Sequence, residues 1–375
     1  MTLRRVLHVT EAPLGGVVAY LEEVLAAQGD SPLEEVTLVT PEINLPALDR
    51  AKGTRLRLVP FAHERGSVMG LLRLARLTVR EARAIRPEVL HVHSTFAGAM
   101  VRLCRPLIPR RTRIVYCPHG WSFLREGKPA LNRALALAER VLSLGCDRII
   151  CISEHEREEA LAAGLPARKL VVIDNGVTPR PAAAPIRREG PLKIAFAGRF
   201  DRQKGFDTYC EVMRRLGDAA RGIAIGRAIV AADQVSIPPN VEVLGWQPRE
   251  RVFDLYREAD VLLVPSRWEG FGLVAIEAMQ AGTAVFASRV GGLQDIVREG
   301  ETGRLFTPGD AEAIAAAIRS TTREALTAMG QKGTLRFHDR YTAARMNSQI
   351  LQLYIEMTGR DLPILQERMN IRDCA

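Results

Sequence analysis

Two stretches decide the fold. The first is Arg5-Val-Leu-His-Val-Thr-Glu-Ala-Pro-Leu-Gly-Gly-Val-Val-Ala-Tyr20, and the second is Leu192-Lys-Ile-Ala-Phe-Ala-Gly-Arg-Phe-Asp-Arg-Gln-Lys-Gly-Phe206. Each reads as a short apolar strand, a glycine-containing loop and the start of an amphipathic helix, the opening of a βαβ unit. Around them short apolar runs alternate with helical patterns throughout. In the first half, strands are expected over 6–10, 36–40, 56–60, 89–93, 114–118, 148–153 and 170–173. In the second they are expected over 192–197, 222–225, 241–244, 261–265 and 284–287. Between the two series, residues 178–191 (Thr-Pro-Arg-Pro-Ala-Ala-Ala-Pro-Ile-Arg-Arg-Glu-Gly-Pro) are proline-rich and poor in large apolar side chains, as a semi-rigid linker would be. The expected organisation is a first domain over 1–177, the linker, a second domain over 192–340, and a C-terminal helix and tail over 341–375. This is an α/β architecture of two Rossmann-like domains facing a central cleft, with the carboxyl ends of the strands turned toward the ligand.

The chain has 375 residues, with 47% hydrophobic and 25% charged side chains, a balance that excludes disordered and fibrous classes. Mean hydropathy is −0.01, and no apolar run approaches the ~18 residues of a membrane span. The basic pair Arg4-Arg5 leads straight into a strand-like run too short for a signal-peptide core, so no export is expected. The six cysteines show no C-x-x-C spacing and are expected to be reduced, mostly buried thiols of a cytoplasmic protein. Net charge is +9. Lys and Arg outnumber Asp and Glu by 26 to 19 before residue 186, but only by 26 to 24 after it. A basic surplus implies an anionic partner, and its asymmetry implies different partners for the two halves.

Chemistry concentrates in two loops of the second half. Arg267-Trp-Glu-Gly-Phe-Gly-Leu-Val-Ala-Ile-Glu277 follows an apolar strand and opens a helix. Gly270 and Gly272 let backbone N–H groups approach a ligand, and the helix start favours an anion. Glu269 in the loop and Glu277 about one turn into the helix can accept hydrogen bonds from the paired hydroxyls of a ribose or hexose. The plainer alternative is a strand–turn–helix with one exposed acid and one near a helix start. The second loop, Gly198-Arg-Phe-Asp-Arg-Gln-Lys-Gly205, sets Arg199 and Lys204 near a helix N-terminus. Two cations beside free backbone donors suit a diphosphate, and a solvated basic loop is the plainer alternative. No G-x-x-x-x-G-K-[ST] sequence occurs, which argues against a nucleoside-triphosphate P-loop.

Glu269-x7-Glu277 with Gly-Phe-Gly between, together with Gly-Arg-Phe-x3-Lys-Gly upstream, resembles family-4 retaining glycosyltransferases of the GT-B fold. The likeness extends through Asn175-Gly176-Val177, Val290-Gly291-Gly292, Asp295 and Gly300-x2-Gly303-Arg-Leu. It covers the second domain almost end to end and the first more loosely. The resemblance implies that Arg199 and Lys204 hold the donor diphosphate and stabilise charge on the leaving nucleoside diphosphate. It further implies that Glu277 binds the nucleotide ribose, that Glu269 contacts the donor sugar, and that backbone N–H groups around Phe271, Gly272 and Leu273 complete the cradle. No Asp-x-Asp occurs in the chain, so fixed cations are expected to neutralise the diphosphate, with no metal site and no cofactor. The implied activity is transfer of a hexose from a nucleoside diphosphate sugar, with retention, to a hydroxyl of a glycan or a polyprenyl-diphosphate-linked sugar, in cell-surface polysaccharide or glycolipid synthesis.

In the first half, Leu14-Gly15-Gly16-Val17 follows the first strand and opens a helix, where Gly15 and Gly16 can approach phosphate or sugar. It is not G-x-G-x-x-G, which weakens a dinucleotide reading. His119, in Cys117-Pro-His-Gly-Trp121, ends a strand; the resemblance places it beside the donor sugar, and a backbone-capped structural histidine is the alternative. His91 and His93 alternate along one strand and so face one side, with His93 toward the acceptor end. Their spacing could ligate a metal, but no companion carboxylate or cysteine cluster is evident. Arg73, Arg76, Arg80 and Arg83 form one stripe of a helix, and Arg102, Arg105, Arg110, Arg111 and Arg113 follow. This surface is expected to lie against anionic lipid on the inner face of the membrane or against a lipid-diphosphate acceptor, with a solvated helix face as the alternative.

Residues 227–240 depart from the resembling family where the nucleotide base would lie, and Asp295 stands where a glutamate is usual. The resemblance also sends the helix over 341–357 back onto the first domain. A sugar-nucleotide epimerase of the same fold is the principal rival. A nucleic-acid-binding module is disfavoured because the chain has only 5% aromatics and no basic platform interleaved with them.

Overall fold

The computed structural model describes residues 2–13, 15–51 (49 and 50 by backbone alone), 55–64, 66–124, 127–181, 190–228 and 235–361. Leu14, linker residues 182–189, residues 229–234, Cys374 and the rest of the tail from 362 lie outside the described residues. The chain divides into two compact units: residues 1–178 with 343–375, and residues 179–342.

The first unit holds a seven-stranded sheet. In chain order it comprises β1 (Arg5–Thr10), α1 (Gly16–Gly29), β2 (Glu35–Pro41), β3 (Leu56–Phe61), α2 (Val68–Ile85), β4 (Val89–His93) and α3 (Thr95–Leu103). There follow β5 (Arg113–Cys117), α4 (Pro129–Leu142), β6 (Arg148–Cys151), α5 (Glu154–Ala162) and β7 (Leu170–Val172). All neighbouring strands pair in parallel, in the order β3-β2-β1-β4-β5-β6-β7. Parallel strands are covered by helices on both faces, so they read as continuous apolar runs, and β4 is buried at every position.

The second unit repeats the plan: β8 (Leu192–Ala197), α6 (Phe206–Leu216), β9 (Ala220–Ile225), β10 (Val241–Gly245), α7 (Arg249–Glu258), β11 (Val261–Val264), α8 (Leu273–Gln280), β12 (Ala284–Ser288), α9 (Leu293–Ile296), β13 (Gly303–Phe306), α10 (Ala311–Ser320) and α11 (Arg323–Arg340). Its sheet runs β10-β9-β8-β11-β12-β13 and is parallel throughout. In each unit the order reverses once, between β1 and β4 and between β8 and β11. Loops leaving the carboxyl ends of strands at such a reversal diverge and leave room for a ligand.

The last helix, α12 (Ala343–Thr358), belongs to the first unit. The Ala343 N–H donates to Val177 O at 2.9 Å, Asn347 Nδ2 donates to Glu23 O of α1 at 3.2 Å, and the Tyr354 hydroxyl reaches His91 Nδ1 at 2.6 Å.

Three local outcomes differ from the sequence reading. Pro118, Ser153 and Pro265, expected as strand ends, lie in loops. Ser153 caps α5, its hydroxyl accepting from the Glu156 N–H at 3.1 Å. Strand β13 was not expected: it is four residues long and gains its conformation from pairing with β12, Ser288 opposite Phe306. Arg102 is not on the surface. Its side chain is fully buried, 2.8 Å from Glu139 of α4, with its guanidinium 3.9 Å from the Tyr116 ring centroid. The described cysteines are unbridged; four are buried and Cys104 is half-buried.

Candidate functional site

The two chemically loaded loops of the second unit are neighbours in space, since one leaves β8 and the other leaves β11 on the two sides of the strand-order reversal. Gly205 makes their approach possible. Its φ is +69°, and a Cβ there would sit 2.0 Å from Pro265 O, so only glycine lets the amino end of α6 close onto the end of β11. Side chains then tie the loops together. Arg267 donates to both carboxylate oxygens of Asp207, at 2.7 and 2.5 Å, and to Arg202 O at 2.8 Å. Those hydrogen bonds from Arg267 hold the Asp207 carboxyl below its usual range. The Arg267 N–H donates to Gln203 O at 2.9 Å, and Gln203 Nε2 donates to Trp268 O at 3.4 Å.

Within this frame Lys204 Nζ meets Glu269 Oε2 at 2.5 Å, and the Ser266 hydroxyl donates to the same oxygen at 3.3 Å. The sequence reading gave Lys204 and Glu269 separate tasks; the structure makes them one ion pair across 65 positions of sequence. Glu269 is 10% exposed and Lys204 23%, so the pair is only partly screened by water. Arg199 stands at the loop's edge, held by Gln203 Oε1 at 2.6 Å and Asp201 Oδ2 at 3.1 Å. Gly198 precedes it at the strand end and hydrogen bonds to Ile225 O.

Gly272, at φ +103°, turns the chain into α8, with Leu273 as its first residue. Phe271 buries its ring edge-on against Tyr341, with centroids 6.0 Å apart, which leaves its backbone rather than its side chain at the loop. Gly270 accepts from the Gly292 N–H at 3.1 Å, joining the loop to the Val290-Gly291-Gly292 turn. Glu277 is half-buried in α8, near enough to the Tyr256 phenol that its charge, after burial itself, raises that group's pKa.

In the first unit, Gly15 caps α1 and Gly16 is its first residue. His93 does not stand alone with His91. His8, opposite His91 in the β1–β4 register, completes a buried histidine cluster that sequence spacing could not show. Gln28 Oε1 accepts from His8 Nε2 at 2.8 Å, His8 Nδ1 lies 3.1 Å from His93 Nε2, and His93 Nδ1 lies 3.1 Å from His119 Nε2. A neutral imidazole carries one proton, so with Gln28 accepting, each ring donates to the one before it and His119 Nδ1 is left an acceptor. Desolvation lowers His8 to about 4 and His119 to about 3, and pushes His91 and His93 far down as well. Nitrogens of His8, His91 and His93 lie within 4.8 Å of one another, a spacing open to a metal ion. Against that use, His8 and His93 already spend a nitrogen each on their mutual hydrogen bond.

His119 itself has a left-handed backbone, φ +55°, uncommon outside glycine. The following turn is pinned by Glu156, which the sequence reading missed. Its carboxylate accepts from the Gly120 N–H at 2.7 Å and the Ile152 N–H at 2.6 Å, while Trp121 Nε1 donates to its carbonyl at 2.8 Å. Burial raises Glu156 to about 7 despite those two donors. Glu11 likewise accepts from the Ala97 N–H at 2.8 Å and the Phe96 N–H at 3.3 Å, capping the amino end of α3.

Comparison with known proteins agrees with this architecture. A family model described as Glycosyltransferase Family 4 matches residues 14–180, and one described as Glycosyl transferases group 1 matches residues 182–334. An uncharacterized 41.2 kDa protein in the cps region of Klebsiella pneumoniae is 28% identical over 84% of this chain and 90% of its own length. The D-inositol 3-phosphate glycosyltransferase of Xylanimonas cellulosilytica is 27% identical over 92% of this chain and 93% of its own. The crystal structure of Anabaena HepE in complex with UDP superposes with a TM-score of 0.76 at 17% identity, covering 93% of this chain and 99% of that one. With both family models matched end to end and the fold shared, the chain belongs to the family-4 glycosyltransferases of the GT-B type.

Proposed function

We propose that the protein transfers a hexose from a nucleoside diphosphate sugar to a hydroxyl acceptor, with retention of anomeric configuration and without a metal ion. The observation that carries this reading is the pairing of the two loops at the β8/β11 reversal. It gathers Arg199, Lys204, a helix start and the acids Glu269 and Glu277 in one part of one unit. The cations and the N–H groups around Phe271, Gly272 and Leu273 take the diphosphate, Glu277 takes the ribose, and Glu269 takes sugar hydroxyls. Glu269 also orients Lys204, because the ion pair fixes where the ammonium sits before any phosphate arrives. Preorganised charge of this kind costs no rearrangement as negative charge builds on the leaving group. His119 is assigned to the donor sugar, which family likeness supports; Gly15 and Gly16 are assigned to phosphate or sugar, and His93 to the acceptor side, from their places at strand ends.

Solved structures of HepE with UDP and with UDP-glucose support a nucleotide-sugar donor. A glycan or polyprenyl-diphosphate-linked sugar is the proposed acceptor, in polysaccharide or glycolipid synthesis. A same-face route, in which the departing phosphate accepts the acceptor's proton, needs only positioning and the cation clamp. Free nucleoside diphosphate should therefore accumulate in EDTA when donor and acceptor are both supplied, in proportion to glycoside formed. Interconversion of the donor sugar with no acceptor requirement would indicate an epimerase and refute transfer.

A further inference from the structure

Residues 66–145 hold 13 arginines and one lysine against four glutamates and no aspartate. That surplus, +10, exceeds the +9 of the whole chain. The three described glutamates of the segment are all turned inward: Glu81 is 5% exposed, Glu88 7% and Glu139 3%. Within the described residues of 66–145, therefore, the carboxylates are almost wholly withdrawn from solvent, with the part-exposed Asp147 just beyond them paired to Arg113. The arginine stripe of α2 is exposed as its spacing predicts: Arg73, Arg76, Arg80 and Arg83 all face solvent, while Leu74, Ala75, Thr78 and Ala82 face the sheet.

The sequence reading did not anticipate the apolar component. Helix α4 is amphipathic, yet its one fully buried residue is Glu139, locked onto Arg102. Leu137 and Val141, one turn apart, are 61% and 58% exposed, Leu144 just beyond is 77% exposed, and Leu131 nearer the helix start is 56% exposed. Leu103 and Leu107 add to it beside the last turn of α2, where Arg83 Nε donates to Leu107 O at 3.0 Å, and Val68, Met69 and Leu72 are exposed at the other end of that helix. The elements are contiguous, since α2 packs on α3 and α3 on α4. The second unit, by contrast, exposes four large apolar side chains, scattered over separate elements, among its described residues. Apolar surface of this extent has a use.

We propose that the α2–α3–α4 face of the first unit is a docking surface for a bilayer rich in anionic phospholipid. Leucines of α4 enter the headgroup–acyl boundary while the arginines of α2 and of residues 105–113 meet the lipid phosphates. The chemistry selects this occupant. Nucleic acid would take the arginines but not the leucines, and it is ordinarily held by several exposed aromatics, where the described residues of this face offer Phe96 of α3 alone. An acidic protein partner would not require the charge to spread over the whole face. No described helix is long and apolar enough to cross a membrane, so the attachment is peripheral at this face. The inference is independent of the donor site in the second unit.

Vesicle flotation of the full chain tests it, with phosphatidylcholine alone and with about one third phosphatidylglycerol, at low and high salt. Recovery with the anionic vesicles, little with the neutral ones, and loss at high salt are expected. Arg73→Ala with Arg76→Ala should weaken anionic partitioning about tenfold or more. Leu137→Ser with Val141→Ser should weaken it by a similar factor at low salt. All four side chains are exposed, so unchanged melting temperatures are expected, and nucleoside diphosphate release from the donor in the presence of a water-soluble acceptor should persist. Equal recovery with both vesicle types, no recovery with either, or binding indifferent to both pairs of substitutions would overturn the proposal. Failure of the release assay with vesicle binding intact would count against the donor site alone.

Discussion

Lys204→Ala and Glu277→Ala each lower kcat/KM at least ~100-fold, by analogy with loss of one preorganised donor to a developing anion. The two should differ in form. Lys204 is placed against charge that grows as the sugar–phosphate bond breaks, so its loss falls mainly on kcat. Glu277 recognises ribose hydroxyls present equally in ground and transition states, so its loss falls mainly on KM. Lys204→Ala also strands Glu269, 10% exposed, without its ammonium. Glu269→Gln separates that effect: it keeps the side chain's shape and relieves the stranded charge in the double variant, and activity lost there beyond that of Glu269→Gln alone is due to the missing cation. Melting temperatures close to wild type for the double variant, with activity still down, would identify the clamp as catalytic. Near-normal activity in both single variants would overturn the site assignment.

Stability should fall steeply between pH 6.5 and pH 4.5. His8, His91, His93 and His119 all have pKa values lowered by desolvation, so the unfolded chain binds four protons there that the folded chain refuses. A group depressed on folding contributes its stability above its unfolded pKa, near 6.5, and loses it as pH drops toward its folded value. Glu156 works in the opposite sense. Raised to about 7, it is protonated in the folded state before it would be in the unfolded one, and so gains stability for the fold as pH falls from 7 toward its unfolded value of 4.5. Four protons refused by the histidines, set against those that Glu156 and the likewise raised Glu11 retain, leave a difference of two to three, or about 3 to 4 kcal/mol per pH unit around pH 5. Urea unfolding at pH 7, 6 and 5 measures it directly. Glu156→Gln removes one offsetting group and should steepen the slope by about one proton's worth, ~1.4 kcal/mol per unit. Equal stability at pH 7 and pH 5 would mean that the histidine cluster is reached by water.

Most strands were legible because parallel sheets bury both faces of each strand, so β11 announces itself as an unbroken apolar run and β1, β4 and β8 as mainly apolar ones. Strand β13 did not: Gly303-Arg304-Leu305-Phe306 has no pattern of its own and is a strand because β12 offers it hydrogen bonds. The site divides along the same line. Arg199, Lys204, Glu269 and Glu277 were visible as residue types in two loops. The ion pair joining Lys204 to Glu269 was not, since it depends on β8 and β11 being neighbours at the strand-order reversal. His8 was likewise hidden from His91 and His93 until the β1–β4 register set them opposite. Arg102 misled for the converse reason. Its place among surface arginines follows from spacing, but Glu139, 37 residues on, draws it inside.

The central claim is that the β8 and β11 loops of the second unit hold a nucleoside diphosphate through side-chain cations, without a metal. Isothermal titration of the protein in EDTA with UDP, GDP, ADP and their hexose derivatives tests it most directly. One base should give saturable one-site binding, unchanged when magnesium is added, and weakened at least about tenfold by Arg199→Ala, as loss of a charge-assisted phosphate contact requires. Silence toward every nucleotide, or heat that appears only when magnesium is restored, would contradict it.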